Sequence, residues 1–92
     1  MKRDMDLVRE MLLWMEESDR RIFYLTGDGF KVFKNDTELT LGHLNLLVSA
    51  GFVEKTDRGN YIMTWEGHEF ADKVRDAEIW RQTKVGAEKV GS

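Results

Sequence analysis

Residues 37–70, TELTLGHLNLLVSAGFVEKTDRGNYIMTWEGHEF, carry the clearest pattern of secondary structure in the chain. From Thr37 to Ala50 it reads as a helix, and Gly51 supplies a residue that easily adopts the left-handed conformation at a helix end. Two short runs of strand formers, 52–55 and 61–63, flank the polar turn 56–60. Thr64 can then cap a new helix. Helix, strand, turn and strand in this order are typical of a winged helix, so we predict a winged-helix-like α+β fold.

A first helix is predicted upstream, from a cap at Asp4 to about Ser18. Its apolar residues recur at the spacing of one helical face, which predicts a buried stripe: Val8, Met11, Leu12 and Met15. Glu16 and Glu17 lie at the negative end of the helix dipole, where carboxylates are unfavourable. We therefore expect a basic partner for them, such as Arg20 or Arg21.

The segment between the two helices is rich in aromatic and β-branched residues. Residues 22–25 and 30–33 favour strands, and the Thr-Gly-Asp-Gly sequence at 26–29 predicts a turn. An additional N-terminal hairpin is therefore expected. A standard winged helix has its second helix here, so hairpin and helix both stay open for residues 26–36. If residues 30–35 are extended, that helix is missing or reduced to a turn.

The last third of the chain is predicted to be helical from Trp65 to about Asp76. Residues 77–80 either extend this helix or begin a further one, which gives three to four helices and a small antiparallel sheet, the wing. We predict one winged-helix-like domain over residues 1–84. For residues 85–92 we predict a loose C-terminal tail, because chain ends with small residues are seldom held in place.

Composition narrows the function classes. The chain has 92 residues and a formal charge of −3. It has no cysteine, and this absence excludes disulfides, thiolate catalysis and cysteine-ligated zinc. No apolar run approaches the length of a membrane span, and the N-terminus has no signal-peptide core. We expect a cytoplasmic protein without membrane contact.

Several segments carry a resemblance to a known family. They are MKRDMDLVR at 1–9, HLNLL at 43–47 with AGFV at 50–53, and TWEGHEF at 64–70, followed by Arg75, Asp76 and Trp80. With these residues the chain resembles a family of small phage and bacterial proteins known only as a domain of unknown function. The resemblance implies a winged-helix-like fold and no established activity.

Neither histidine predicts a catalytic or metal site. The order His68, Glu69, Asp72 is one residue away from the zinc-protease pattern, which needs a second histidine at the last position. His43 lies on the apolar side of its helix, where we interpret it as a core-edge side chain bonded to backbone. We expect no catalytic residue, no metal, no cofactor and no small-molecule substrate, and therefore no enzyme.

DNA binding has to be considered for any winged helix, because the helix before the wing often enters the major groove. The outward face of that helix is predicted to be Glu38, Leu41, Gly42, Asn45 and Ser49. It contains no lysine or arginine to bind phosphates or to read guanine. The residues that could contact DNA, by this face or another, are Asn45, Lys55, Arg58, Arg20, Arg21, Lys31 and Lys34.

Protein contact fits the outward face better. Leu41 and Asn45 are candidates there, with Gly42 allowing close approach, and Ile79 and Trp80 are candidates near the C-terminus. We interpret Trp14 and Trp65 as core residues. For Trp80 we keep two interpretations, a core residue or a contact with a partner or a second copy. The sequence therefore predicts a non-catalytic binding module acting through protein–protein contact, with itself or with a host or phage partner. A DNA-binding transcriptional regulator is the alternative.

Overall fold

The computed structural model describes residues 1–91, with side chains described for residues 1–85. These residues form an α+β fold of four α-helices, one 3-10 turn and a two-stranded antiparallel sheet. In chain order the elements are α1 (Met5–Glu17), the 3-10 turn (Phe33–Asn35), α2 (Thr37–Ser49), β1 (Val53–Lys55), β2 (Tyr61–Met63), α3 (Trp65–Val74) and α4 (Ala77–Gly91). No helix in this part of the chain is long and apolar enough to cross a bilayer.

Helix α1 begins where a carboxylate can satisfy its free N–H groups. The Asp4 side chain accepts hydrogen bonds from the backbone N–H groups of Asp6 and Leu7, as an N-cap should. One face of the helix is buried in the core: Leu7, Val8, Met11, Leu12 and Met15. The predicted cap and stripe are confirmed.

Helix α2 and the hairpin that follows agree with the prediction from residues 37–70. Asp36 caps α2 by accepting from the Leu39 N–H. Gly51 ends the helix with φ +83°. Strand β1 then pairs with β2, with Val53 opposite Met63 and Lys55 opposite Tyr61. The order of these elements is compatible with a winged-helix-like arrangement.

The hairpin expected from residues 22–33 does not form. Phe23 bridges to Tyr61 of β2 instead, with N–O distances of 2.8 and 2.9 Å. Phe30 and Phe33 turn inward, where their ring centroids lie 4.9 and 6.0 Å from that of Trp14. Burial of these rings outweighs their preference for a strand. The helix expected in a standard winged helix is reduced to the 3-10 turn Phe33–Asn35.

Helix α3 is fixed to the corner between α2 and β1. The Thr64 hydroxyl accepts from the Gly67 N–H and donates to the Gly51 carbonyl over 2.6 Å. Gly67 is buried directly against the Phe52 carbonyl, where a side chain would not fit. This contact explains why the glycine lies inside a helix, where it is otherwise unfavourable.

Helix α4 is separate from α3. The Asp76 carboxylate accepts from the N–H groups of Glu78 and Ile79, which begins a new helix. A loose tail was predicted for residues 85–92, but α4 includes residues 85–91. Ser92 lies outside the described residues, and the division of the chain after residue 84 stays a prediction.

Candidate interaction surfaces

The outward face of α2 is the one predicted from helical spacing. Glu38, Leu41 and Asn45 are exposed, while His43, Leu44 and Leu47 are buried. The face carries no cation, and Glu38 stands in its first turn. One expectation is corrected: Gly42 is covered by the Met1 side chain, whose sulfur would lie 2.6 Å from a Cβ at this position. Gly42 is therefore not open to the close approach of a partner.

The wing places two of the candidate DNA contacts on the surface. Lys55 ends β1 and Arg58 lies in the turn, and both are exposed. Glu54 and Asp57 precede them directly in the sequence and are exposed as well. Since each cation has a neighbouring carboxylate, the wing has little net positive charge with which to attract phosphates.

The other four candidate cations include residues at both ends of α1. Lys34 pairs with Asp4 over 3.2 Å at the start of α1, whereas Arg20 and Arg21 follow the end of the same helix. Because α1 has 13 residues, its two ends are about 20 Å apart. Arg20 donates to the Asp28 carbonyl over 3.1 Å.

Lys31, the fourth of these cations, is held by an aromatic ring. Its ammonium lies 4.9 Å from the Phe33 ring centroid, a distance typical of a cation–π contact. Lys34, Arg20 and Lys31 thus each have a local contact, whereas Arg21 forms no ion pair with the residues whose side chains are described.

Trp80 belongs to the interior. Its side chain is 6% exposed, and its indole N–H donates to the Asp6 carboxylate over 3.0 Å. Lys84 contacts the other oxygen of Asp6 over 2.7 Å. Hydrogen bonds from Lys84 and Trp80 lower the pKa of Asp6 below its ordinary value. Ile79 is 44% exposed, so of this candidate pair Ile79 alone offers a surface.

The interpretation of Trp65 as a core residue was wrong. It was assigned to the core, but it is 76% exposed at the first position of α3. The spacing of α3 explains this position, because Trp65 lies about 200° around the helix from the buried Gly67. Glu69 and Asp72 lie one and two turns further on the same outward face. The assignment to the core rested on the need of a 92-residue chain for most of its aromatic side chains there.

Glu16 and Glu17 find their basic partner in the second half of the chain. Arg75, not Arg20 or Arg21, contacts both carboxylates and also Asp72. His68 lies 3.3 Å from the other Glu16 oxygen. The cluster joins the end of α1 to α3. It could not be predicted from sequence because Arg75 is 59 positions from Glu16.

His43 is fully buried and both of its ring nitrogens contact backbone. Nε2 accepts from the Asp4 N–H and Nδ1 donates to the Leu39 carbonyl, each over 2.9 Å. The predicted role as a core histidine bonded to backbone is confirmed. At the adjacent Asp4, burial raises the pKa, but the Leu7 N–H and the Lys34 ammonium outweigh it and lower the pKa below its ordinary value.

Among the groups that could support catalysis, His68 lies beside Glu16, but Ser18 has other partners. The His68 Nδ1 lies 3.3 Å from a Glu16 oxygen, whereas the Ser18 oxygen accepts from the Arg20 N–H over 3.1 Å. The described hydrogen bonds do not link Ser18 to His68, as a nucleophile and its base would be linked. Among the described residues, no three acidic or histidine side chains gather in a way that could hold a metal ion.

Comparison with known proteins gives a family. The model of a family described as "Hypothetical protein (DUF2513)" matches residues 2–92. An uncharacterized protein of Haemophilus influenzae (strain ATCC 51907 / DSM 11121 / KW20 / Rd) is 37% identical over 93 residues, covering 92% of this chain and 77% of the relative. No solved structure matches the chain significantly. The chain therefore belongs to the DUF2513 family.

Proposed function

We propose that this chain is a non-catalytic, winged-helix-like binding module of phage or bacterial type that acts in the cytoplasm through protein–protein contact. The partner is a second copy of the chain or another protein. One observation carries the proposal: the outward face of α2 exposes Glu38, Leu41 and Asn45 and contains no cation. Duplex DNA binds mainly through phosphate neutralisation, which this face cannot supply.

The remaining exposed residues support the same proposal. Leu41, Trp65 and Ile79 are exposed by 37%, 76% and 44%. Aromatic side chains, with their large apolar area, are enriched at protein interfaces. Leu41 and Asn45 on α2 and Ile79 on α4 are the contact residues that we propose, together with Trp65.

A non-catalytic role is supported by how the histidines are used. Both ring nitrogens of His43 are bonded to backbone groups, so this side chain has no atom left for a substrate. His68 is exposed and shares Glu16 with Arg75. Because the Arg75 guanidinium pairs with Glu16, this carboxylate is less able to orient His68 as a general base.

A DNA-binding transcriptional regulator is the alternative. The exposed Lys55 and Arg58 in the hairpin after α2 favour it, since the wing of a winged helix can lie along the phosphate backbone. Arg20 and Arg21 would be its second contact region.

Fluorescence anisotropy with labelled mixed-sequence duplex DNA tests the proposal. Titrations at about 50 mM and about 200 mM salt separate phosphate-driven binding from other contacts. We expect no saturable binding at either salt concentration. Binding in the micromolar range or tighter that weakens steeply with salt, and that Lys55→Ala/Arg58→Ala reduces, would overturn the proposal in favour of the regulator.

A further inference from the structure

A groove of about 480 Å³ lies between the end of α1, the segment that follows it and the start of α3. Its floor includes the half-buried Ile62 and Met63 of β2. Its rims come from two separate parts of the chain: Arg20, Arg21 and Ile22 on one side and His68 of α3 on the other. The two rims differ in charge.

The first rim carries Arg20 and Arg21, with Asp19 beside them in the lining of the groove, and is otherwise apolar. Ile22 is 42% exposed. Arg20 donates to a backbone carbonyl, and Arg21 forms no ion pair with the residues whose side chains are described. The charges of both guanidinium groups thus remain available for carboxylates.

The surface of α3 next to the second rim is acidic and aromatic. His68 marks where α3 meets the groove, and the outward face of α3 beside it carries Trp65 and Glu69. These two residues are one helical turn apart and therefore adjacent on the surface. Within the described part of the chain Glu69 has no ion-pair partner, whereas Asp72 contacts Arg75 over 3.2 Å.

We propose that a second copy of this chain docks on the groove about a twofold axis, an inference that rests on the proposed role in protein contact. In a twofold pair each residue contact occurs twice, so rims on opposite sides of the axis meet each other. Arg21 of one copy then pairs with Glu69 of the other, and Trp65 covers Ile22. The chain itself thus supplies both complementary surfaces.

Apolar burial gives this contact its stability, and charge gives its orientation. A tryptophan buries roughly 150 to 250 Å² when it is covered, and the dimer covers two of them. A standard protein interface needs about 800 Å² from each partner, which the groove floor and the two rims of each copy together have to supply. Opposite charges across the axis exclude the reversed arrangement, in which Arg21 would meet Arg21.

Charge reversal tests the pairing. Sedimentation equilibrium of the full chain from about 1 µM to about 1 mM should show a dimer that dissociates on dilution. Arg21→Glu and Glu69→Arg should each raise the dissociation constant at least roughly tenfold. An equimolar mixture of the two variants should restore the dimer, because both contacts then pair opposite charges. The double variant should restore it as well.

Controls separate this inference from the proposed function. Arg58→Glu reverses a charge in the wing and should leave the dimer unchanged, and circular dichroism of each variant verifies folding. A monomer at all concentrations, or a dimer unaffected by Arg21→Glu and Glu69→Arg, would overturn the twofold pairing. Either result would leave protein contact through α2 in place. Salt-dependent binding of duplex DNA would instead overturn the proposed function, whatever the mass.

Discussion

His43 of α2 accepts a hydrogen bond from the backbone N–H of Asp4 over 2.9 Å. The bond joins residues 39 positions apart and lies beside the cap of α1. Since Asp4 also caps that helix, one buried imidazole fixes where α1 begins against α2. His43 is therefore part of the framework that presents the outward face of α2.

His43→Leu should lower the free energy of unfolding by about 1 to 3 kcal/mol, because the Asp4 N–H would lose its partner in a part-buried place. Urea denaturation followed by tryptophan fluorescence measures the change. Asn45→Ala, on the outward face of the same helix, is the matched control and should stay within about 0.5 kcal/mol of the parent. Equal effects of the two substitutions would contradict the role given to His43.

Acid should destabilise the protein through Asp4 and Asp6. Both carboxyls have a pKa lowered from the ordinary value of 3.8, so the unfolded chain binds protons first as the pH falls. The stability that they contribute is present above that ordinary value and is lost as the pH falls through the lowered pKa of the folded state.

Urea midpoints measured between about pH 2 and about pH 6 test this. Asp6→Asn should be less stable than the parent at the upper end, because the contacts of Asp6 with Trp80 and Lys84 weaken. The two proteins should converge towards the lower end, where Asp6 of the parent is protonated. A constant difference over the whole range would show that Asp6 does not carry the dependence.

Gly67→Ala should destabilise the junction of α3 and the hairpin. The new Cβ would overlap the Phe52 carbonyl, which also accepts from the Thr64 N–H, so the backbone cannot give way easily. We expect a loss of about 2 to 3 kcal/mol. Gly59→Ala in the open wing turn is the comparison, since its cost of about 1 kcal/mol comes from positive φ alone. Thermal unfolding of both variants should show the larger shift for Gly67→Ala.

Trp65 and Trp80 should respond in opposite ways to truncation. Trp80→Ala removes a buried indole and should cost about 3 to 5 kcal/mol. Trp65→Ala should change stability by no more than about 0.5 kcal/mol, because its side chain lies mostly in solvent. Equilibrium unfolding in urea, at concentrations where each variant is monomeric, compares the two. A large loss for Trp65→Ala would place that ring in the interior.

Local signals predicted most of the fold. The cap at Asp4, the stop at Gly51 and the cap at Thr64 depend on residues within a few positions of each other. The alternation of helix, strand and turn over residues 37–70 likewise follows from local propensity. These features could be predicted because the backbone groups that they satisfy are close in sequence.

Long-range packing accounts for the features that were missed. Residues 22–33 have strand propensity, yet the rings of Phe23, Phe30 and Phe33 pack around Trp14. The backbone of Phe23 forms a β-bridge with Tyr61. Arg75 reaches Glu16 from the far half of the chain. Of the proposed groove, sequence reasoning found Arg20 and Arg21 but not their relation to Trp65. The two rims come together only when α1 and α3 pack.

Sedimentation velocity of the protein mixed with a labelled mixed-sequence duplex, at about 50 mM salt, tests the central claim most directly. Runs at several protein concentrations report the mass of the protein and its association with DNA together. We expect the label to sediment as free duplex and the protein to sediment as a dimer that dissociates on dilution. Label that moves with the protein at this salt, and is released at about 200 mM, would contradict the claim that the chain acts through protein contact.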